Sequence, residues 1–340
     1  MISKTEDGAN RRRRLLVTGV PTDAVVERAS AEFDAQFWRE ADPIGDRLLD
    51  VASGFEAVLI MPDDKLDAER IGRLPASVEV LGTHSVGYDH IDLDAATARR
   101  LPVFNTPDVL TDAVADLALF LVLAAARGTT SAEAALRRGE WGRWAPTLFL
   151  GRSLSGLRLG IFGMGRIGQA IALRATAFGL RLHYHNRTRL AEDKERGAQF
   201  HESMESLLSA SDIFCICAPS TPQLRGSIDS QRLALLPRGA IVVNVARGDL
   251  VDETALFAAA QEGRLGAIGT DVYRGEPNID ARWLELSNAT LLPHIGSATH
   301  EVRTAMGMLA LDGIHSHFSG APAANLLNPQ AYAVTRRSGD

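Results

Sequence analysis

The stretch "RLGIFGMGRIGQAIA" (Arg158 to Ala172) decides how this chain of 340 residues folds. Gly163, Gly165 and Gly168 stand in G-x-G-x-x-G spacing, directly after a β-type run and directly before a segment of helical pattern. The first glycine permits a tight turn, the second lets the backbone approach a pyrophosphate, and the third allows the helix to pack close to the strand. The helix N-terminus then presents unpaired N–H groups and a partial positive charge, which makes Gly165, Arg166 and Ile167 candidate phosphate contacts. Glycine spacing alone would be a weak sign. With strand, helix and following strand in register it predicts a dinucleotide cofactor, nicotinamide or flavin. A methyl-transfer cofactor is the nearest competitor, but it has no pyrophosphate and less need for three glycines.

Working outward, the same alternation runs in both directions. From Leu15 to Pro107 the runs "LLVTGV", "AVLIMP", "VEVLGTHSV" and "LPVFNTP" read as strands, with "DAVVERASAEF" and "DLDAATARR" as helices between them. From "LRLGIFGMG" it restarts, through "LRLHYHN", "DIFCICAPS", "GAIVVNVAR" and "GAIGTDVY" to "ATLLPHIG". Between the two series lie a long apolar helix near Thr111 to Arg127 and a link, "RRGEWGRWAPTLFLGRSLSG", that holds two of the four tryptophans. The last amphipathic stretch, "SATHEVRTAMGMLALDGIHSHFSG" (Ser297 to Gly320), is too apolar for a free tail and is expected to cross back onto the first domain. The prediction is an α/β protein of two Rossmann/flavodoxin-like doubly wound parallel-sheet domains with a cleft between them. A discontinuous substrate-binding domain takes residues 1–107 plus 299–340, and an NAD(P)-binding domain takes residues 108–298.

Composition excludes several classes. A formal charge of −6 with 46% hydrophobic and 23% charged residues is that of a soluble globular chain, and argues against a nucleic-acid partner. The run "RRRR" (Arg11 to Arg14) follows the polar start "MISKTEDGAN" and reads as a solvated leader before the first strand. No apolar secretory segment follows it, so a cytoplasmic location is expected. The longest apolar run, "LALFLVLAAA" (Leu117 to Ala126), falls short of the roughly 20 residues that span a bilayer, and no membrane association is expected. Cys215 and Cys217 are expected on opposite faces of a strand, with neither disulfide nor metal site indicated.

The later strands end in charged residues set among small ones: "NVARGDLVDE", "GTDVYRGEP" and "LLPHIGSATH". In an open parallel sheet, ligands sit beyond the C-terminal strand ends, which places Arg247, Asp271, Glu276 and His294 at the binding edge. Following the glycine loop in this order, and together with "SVGYDHIDL" (Ser85 to Leu93) and "NTPDVLTDAVAD" (Asn105 to Asp116), these stretches resemble the D-2-hydroxyacid dehydrogenases. The resemblance covers about Leu15 to Leu327.

Reducing a 2-oxo acid needs a cation for the carboxylate, a proton donor for the developing alkoxide, and a nicotinamide held against the carbonyl carbon. Arg247 offers a planar guanidinium for carboxylate and carbonyl oxygens. His294 can give a proton in one direction and take it in the other. By resemblance Glu276 pairs with His294, fixing its tautomer and favouring its protonated form. The resemblance further implies that backbone N–H groups of Ser85, Val86 and Gly87 meet the substrate carboxylate and that Ser297 lies near its hydroxyl end. It also implies that Thr111, Cys217, Pro219 and Asp271 line the cofactor, Asp271 accepting from the carboxamide. His84, beside the substrate loop, is the only other histidine kept as a candidate pocket residue.

"EWGRWAP" (Glu140 to Pro146), "HIGSAT" and "PNIDARWLEL" are most similar to the glyoxylate and hydroxypyruvate reductase branch. That likeness implies a homodimer in which Trp144, or else Trp141, reaches the neighbouring subunit's site. An aromatic anchor in the dimer interface is the alternative role. "LIMPDDKLD" (Leu59 to Asp67) departs from the branch pattern, which leaves 2-ketogluconate open beside glyoxylate and hydroxypyruvate. Two other readings stand: an NAD-dependent phosphoglycerate dehydrogenase-like enzyme, and a non-catalytic dehydrogenase-like corepressor.

Cofactor choice turns on "RLHYHNRTRL" (Arg181 to Leu190). NAD-binding chains place an acid after this strand to bond the ribose 2′-hydroxyl. Here Asn186 takes that place, followed by the cation of Arg187, the hydroxyl of Thr188, and Arg189. The expectation is NADP(H) preferred, with NAD(H) usable.

Overall fold

The computed structural model describes residues 11–40 and 43–332, so the polar start "MISKTEDGAN" lies outside the described residues. The chain divides into two units, Met1–Val109 with Thr299–Asp340, and Leu110–Ala298. The first stretch of unit 1 thus runs to Val109, where the sequence reading ended it at residue 107.

Unit 1 is built on five parallel strands: β1 (Arg14–Val17), β2 (Asp34–Phe37), β3 (Ala57–Ile60), β4 (Val80–Thr83) and β5 (Val103–Phe104). Their order is β2-β1-β3-β4-β5, the flavodoxin-like order 2-1-3-4-5. Alternate side chains feed two cores, Leu16, Val58, Ile60 and Leu81 on one face and Leu15, Val17, Leu59 and Val80 on the other. Burial on both faces is what a doubly wound parallel sheet demands of its strands. The edge strand β2 has no fully buried residue, which is why the apolar pattern did not reveal it.

The helix His300–Ser319 packs on this sheet, with Ala310, Leu311 and Ile314 in its core. Thr299 caps its start by accepting from the Val302 N–H at 3.2 Å, and Gly320 ends it at a φ of 70°. Close approach depends on Gly313, where a Cβ would lie 2.6 Å from the Phe104 side chain.

The arginine run sits at the start of β1 and is paired within unit 1. Arg13 donates to Glu56 Oε1 at 2.6 Å, and the Arg14 guanidinium lies 4.4 Å from the Phe55 ring centre.

Unit 2 has seven parallel strands: β6 (Arg158–Phe162), β7 (Arg181–His185), β8 (Gln199–Phe200), β9 (Ile213–Ile216), β10 (Ala240–Asn244), β11 (Leu265–Thr270) and β12 (Ala289–Leu291). Their order is β12-β11-β10-β9-β6-β7-β8, so the direction of winding reverses between β6 and β9. Ligands of such sheets bind beyond the strand ends at that switch point. One face is covered by the helix Thr111–Arg127 with Leu119 and Val122, the other by a core that includes Phe162, Phe214 and Leu256. No single helix among the described residues is long and apolar enough to cross a membrane.

The two cysteines correct one expectation. Residues two apart on a strand share a face, and the sulfurs of Cys215 and Cys217, both free thiols, lie in hydrogen-bond contact at 3.6 Å. The contact with Cys215, together with burial, pushes the Cys217 thiol up.

Candidate active site

The glycine loop assembles at the β6–β9 switch point. Gly163 has a φ of 94°, and a Cβ there would lie 2.5 Å from Ala218 Cα, so only glycine fits between the two strand ends. A Cβ on Gly168 would lie 2.6 Å from the Gly163 carbonyl oxygen, which sets how closely the helix Arg166–Thr176 meets the turn. Around Gly165 the space is open within 4 Å, on the side where a pyrophosphate would approach. The three glycines therefore meet three different demands, and the loop fits a dinucleotide. Arg166 and Ile167 open the helix, Thr111 opens the helix on the adjoining face, and Cys217 and Pro219 follow β9.

Asn186 does more than leave out a charge. Its Oδ1 accepts the Met164 N–H at 2.6 Å and its Nδ2 donates to the Met164 carbonyl at 3.4 Å, gripping the glycine loop. Arg187 and Thr188 are exposed next to it. Arg189 is not a spare cation: it pairs with Glu195 at 2.7 Å.

The charged residues gather at the C-terminal ends of β10, β11 and β12. Asn244, at the end of β10, brackets the turn that carries Arg247: its Oδ1 accepts the Ala246 N–H at 3.0 Å and its Nδ2 donates to the Arg247 carbonyl at 2.9 Å. The next residue, Gly248, packs so tightly that a Cβ would lie 2.0 Å from the Tyr273 carbonyl carbon. This contact brings the Arg247 turn against the loop of Glu276. Glu253, buried, holds the same loop from below by accepting the Arg274 N–H at 2.9 Å and the Trp283 indole N–H at 3.1 Å.

Glu276 divides its oxygens. Oε1 accepts the Tyr273 N–H at 2.6 Å, and Oε2 lies 2.6 Å from His294 Nδ1. Burial alone would raise its pKa. The bond and charge of His294, the Tyr273 amide and the charge of Arg247 outweigh burial and hold the carboxyl below its ordinary range. His294 has a φ of 52°, and Nδ1 bound to Glu276 leaves Nε2 for another partner. Asp271 accepts the Ile295 and Gly296 N–H groups, both at 2.7 Å, and so pins the loop that carries His294. Its carboxyl is raised by burial, against the pull of those amides. Ser297 follows in the same loop.

In unit 1, the loop Ser85–Gly87 follows β4. The Ser85 hydroxyl donates to the Gly87 carbonyl at 2.7 Å and lies 2.7 Å from Thr83 Oγ1, while Asn105 Nδ2 holds the Val86 carbonyl at 2.9 Å. Among the described residues no acceptor takes the N–H of Val86 or Gly87. His84 is buried, bonded through Nε2 to the Arg303 carbonyl at 3.0 Å, and lowered in pKa by burial. It is thus a buried histidine tied to the backbone of the helix His300–Ser319. In "LIMPDDKLD", Asp64 is buried and accepts from the Met61 N–H at 2.9 Å and from the Thr18 hydroxyl. Trp141 and Trp144 stand 55% and 73% exposed, with Leu136, Leu148 and Phe149 lining an apolar hollow between them.

Asn244, Gly248 and Glu253 escaped the sequence reading. Their only local signal was a polar or small residue at a strand end or helix start, and their partners lie 2 to 30 positions away.

A model described as the NAD binding domain of D-isomer specific 2-hydroxyacid dehydrogenases matches residues 119–296. The glycerate dehydrogenase of Hyphomicrobium methylovorum is 40% identical, over 91% of this chain and 97% of that protein. The glyoxylate reductase of Thermococcus kodakarensis is 38% identical, over 96% and 99%. The structure of the NADPH-dependent glyoxylate/hydroxypyruvate reductase of Sinorhizobium meliloti, in complex with NADP and malonate, superposes with a TM-score of 0.83 at 33% identity, covering 94% of this chain and 98% of that one. Fold and site thus define a nicotinamide-dependent oxidoreductase. The chain belongs to the D-2-hydroxyacid dehydrogenase family, on its glyoxylate reductase-like branch.

Proposed function

We propose that this protein reduces small 2-oxo acids to D-2-hydroxy acids with NADPH preferred over NADH. Glyoxylate and hydroxypyruvate are the first candidates, and 2-ketogluconate a larger one. The observation that carries the reading is the pair of His294 Nδ1 and Glu276 Oε2 at 2.6 Å, which leaves Nε2 to give a proton to a substrate oxygen. Arg247 holds the substrate carboxylate, aided by the amide N–H groups of the Ser85–Gly87 loop, and Ser297 stands near the hydroxyl end. Gly163, Gly165, Arg166, Ile167 and Gly168 hold the pyrophosphate, with Thr111, Cys217, Pro219 and Asp271 along the rest of the cofactor. When bound, the nicotinamide supplies the hydride at its C4.

The NADPH preference rests on Asn186, which keeps a hydrogen bond to the glycine loop while removing the charge that would repel a 2′-phosphate, and on the exposed cation of Arg187 with the Thr188 hydroxyl. The Sinorhizobium meliloti relative is NADPH-dependent by name, which supports it. The test is oxidation of NADPH and NADH with each 2-oxo acid. Turnover of none of them with either cofactor would overturn the enzyme reading. Asn186→Asp with Arg187→Ala should raise the KM for NADPH at least about tenfold more than that for NADH, and an unchanged ratio would overturn the assigned selectivity.

The exposed Trp141, Trp144, Leu148 and Phe149 support a homodimer formed through this apolar face, with Trp144 reaching the partner's substrate.

A further inference from the structure

The proposed reduction makes no use of one buried carboxylate. Glu195, 6% exposed, accepts the Tyr184 hydroxyl at 2.6 Å and Arg189 Nε and Nη2 at 2.7 and 3.1 Å. The fully buried Tyr184 also accepts the Leu190 N–H through its hydroxyl oxygen at 3.1 Å. The guanidinium and the phenol hold the Glu195 carboxyl down at about 2, so it is charged at any working pH. This cluster ties down the far end of the segment that starts at Asn186, and the amide of Asn186 ties the near end to Met164. Between the two anchors Arg187 and Thr188 form a short exposed tip, and among the described residues neither side chain has a hydrogen-bond or ion-pair partner.

We propose that Arg189 acts in cofactor selection through Glu195, as a positioning residue beside the Arg187–Thr188 tip: it neutralises the carboxylate at the foot of that tip. The inference rests on the reading of that tip as the 2′-phosphate site. An unneutralised Glu195 would return to the site the negative charge that Asn186 removes, although from a residue nine positions further along the chain. The second arginine of "NRTR" is therefore spent on the protein's own carboxylate, and this keeps the first one effective.

The test compares Arg189→Gln, Glu195→Gln and the double variant in the intact enzyme, with KM and dissociation constants read separately for NADPH and NADH. Arg189→Gln should lower the NADPH-to-NADH ratio of kcat/KM about tenfold, chiefly through KM for NADPH. The double variant, which lacks the charge as well as the anchor, should recover most of that ratio. Equal losses for both cofactors in Arg189→Gln would mark the pair as merely structural and overturn the proposal. A double variant as poor as Arg189→Gln would do the same. If Arg189→Gln does not fold, Glu195→Gln alone decides: freeing the Arg189 cation should raise the ratio, and an unchanged or lower ratio overturns the inference. A wild-type enzyme that prefers NADH would overturn the NADPH reading itself, a result separate from any change of ratio among the variants.

Discussion

His294 is left with a single nitrogen to work with, because Glu276 occupies the other at 2.6 Å. Replacing His294 by alanine removes the proton donor, so turnover should fall by about 10²–10⁴ while cofactor dissociation constants stay within about twofold. Single-turnover assays and cofactor titration check both, and wild-type turnover would sink the role. Glu276→Gln keeps a hydrogen-bonding group but removes the carboxylate that meets His294 Nδ1 and orients the ring. Reductive kcat should therefore fall by about tenfold or more, read from steady-state rates at saturating cofactor. The pKa of Glu276 itself is lowered in the fold, so its contribution to stability is full above the ordinary carboxylate range and is lost only as pH falls through the lowered value. The acid limb of unfolding should thus start lower in the wild type than in Glu276→Gln. Arg247 and His294 follow strand ends, as expected from the sequence, and the Glu276–His294 pair that the resemblance implied is formed. Asn244 and Glu253 were not legible in the sequence, since their work is to hold the backbone of loops they do not belong to.

At the scale of elements, the strands with apolar runs were legible and the two weak ones were not. The edge strands β2 and β8 carry too few buried residues to leave a pattern, and they exist because a neighbouring strand offers its open edge. The helix His300–Ser319 was legible by period and caps, and its seat is the sheet of unit 1. Ile314 is fully buried there, against Gly82 of β4, where a Cβ would lie 3.0 Å from Ile314 Cδ1. Ile314→Ala leaves a cavity and should cost about 2–5 kcal/mol of stability, read from the midpoint of denaturant unfolding. Exposed His315, the next residue of the helix, is the control, and His315→Ala should change stability by less than about 0.5 kcal/mol.

For the whole molecule, the apolar face around Trp144 is the feature a single chain leaves unexplained. Charge on that face opposes association, so Trp144→Glu should shift the proposed dimer toward monomer in light scattering. If Trp144 also serves the partner's substrate, KM for glyoxylate should rise about tenfold or more, near the scale of a lost aromatic contact of about 1.5 kcal/mol. A wild-type monomer would overturn both statements.

The sequence by itself determined the α/β class, the dinucleotide loop, the charged strand ends and the absence of an acid at Asn186. All of these are local: they follow from the spacing of glycines, from periods of two and 3.6, and from residue types next to one another in the chain. Only the tertiary structure shows that Asn186 grips Met164, that Arg189 belongs to Glu195, that buried His84 meets the Arg303 carbonyl and that the two cysteine sulfurs touch. The physical reason is that a polar side chain's role depends on which donor or acceptor the fold brings within about 3 Å of it, and that partner is chosen by strand order and rotamer rather than by the neighbours in sequence.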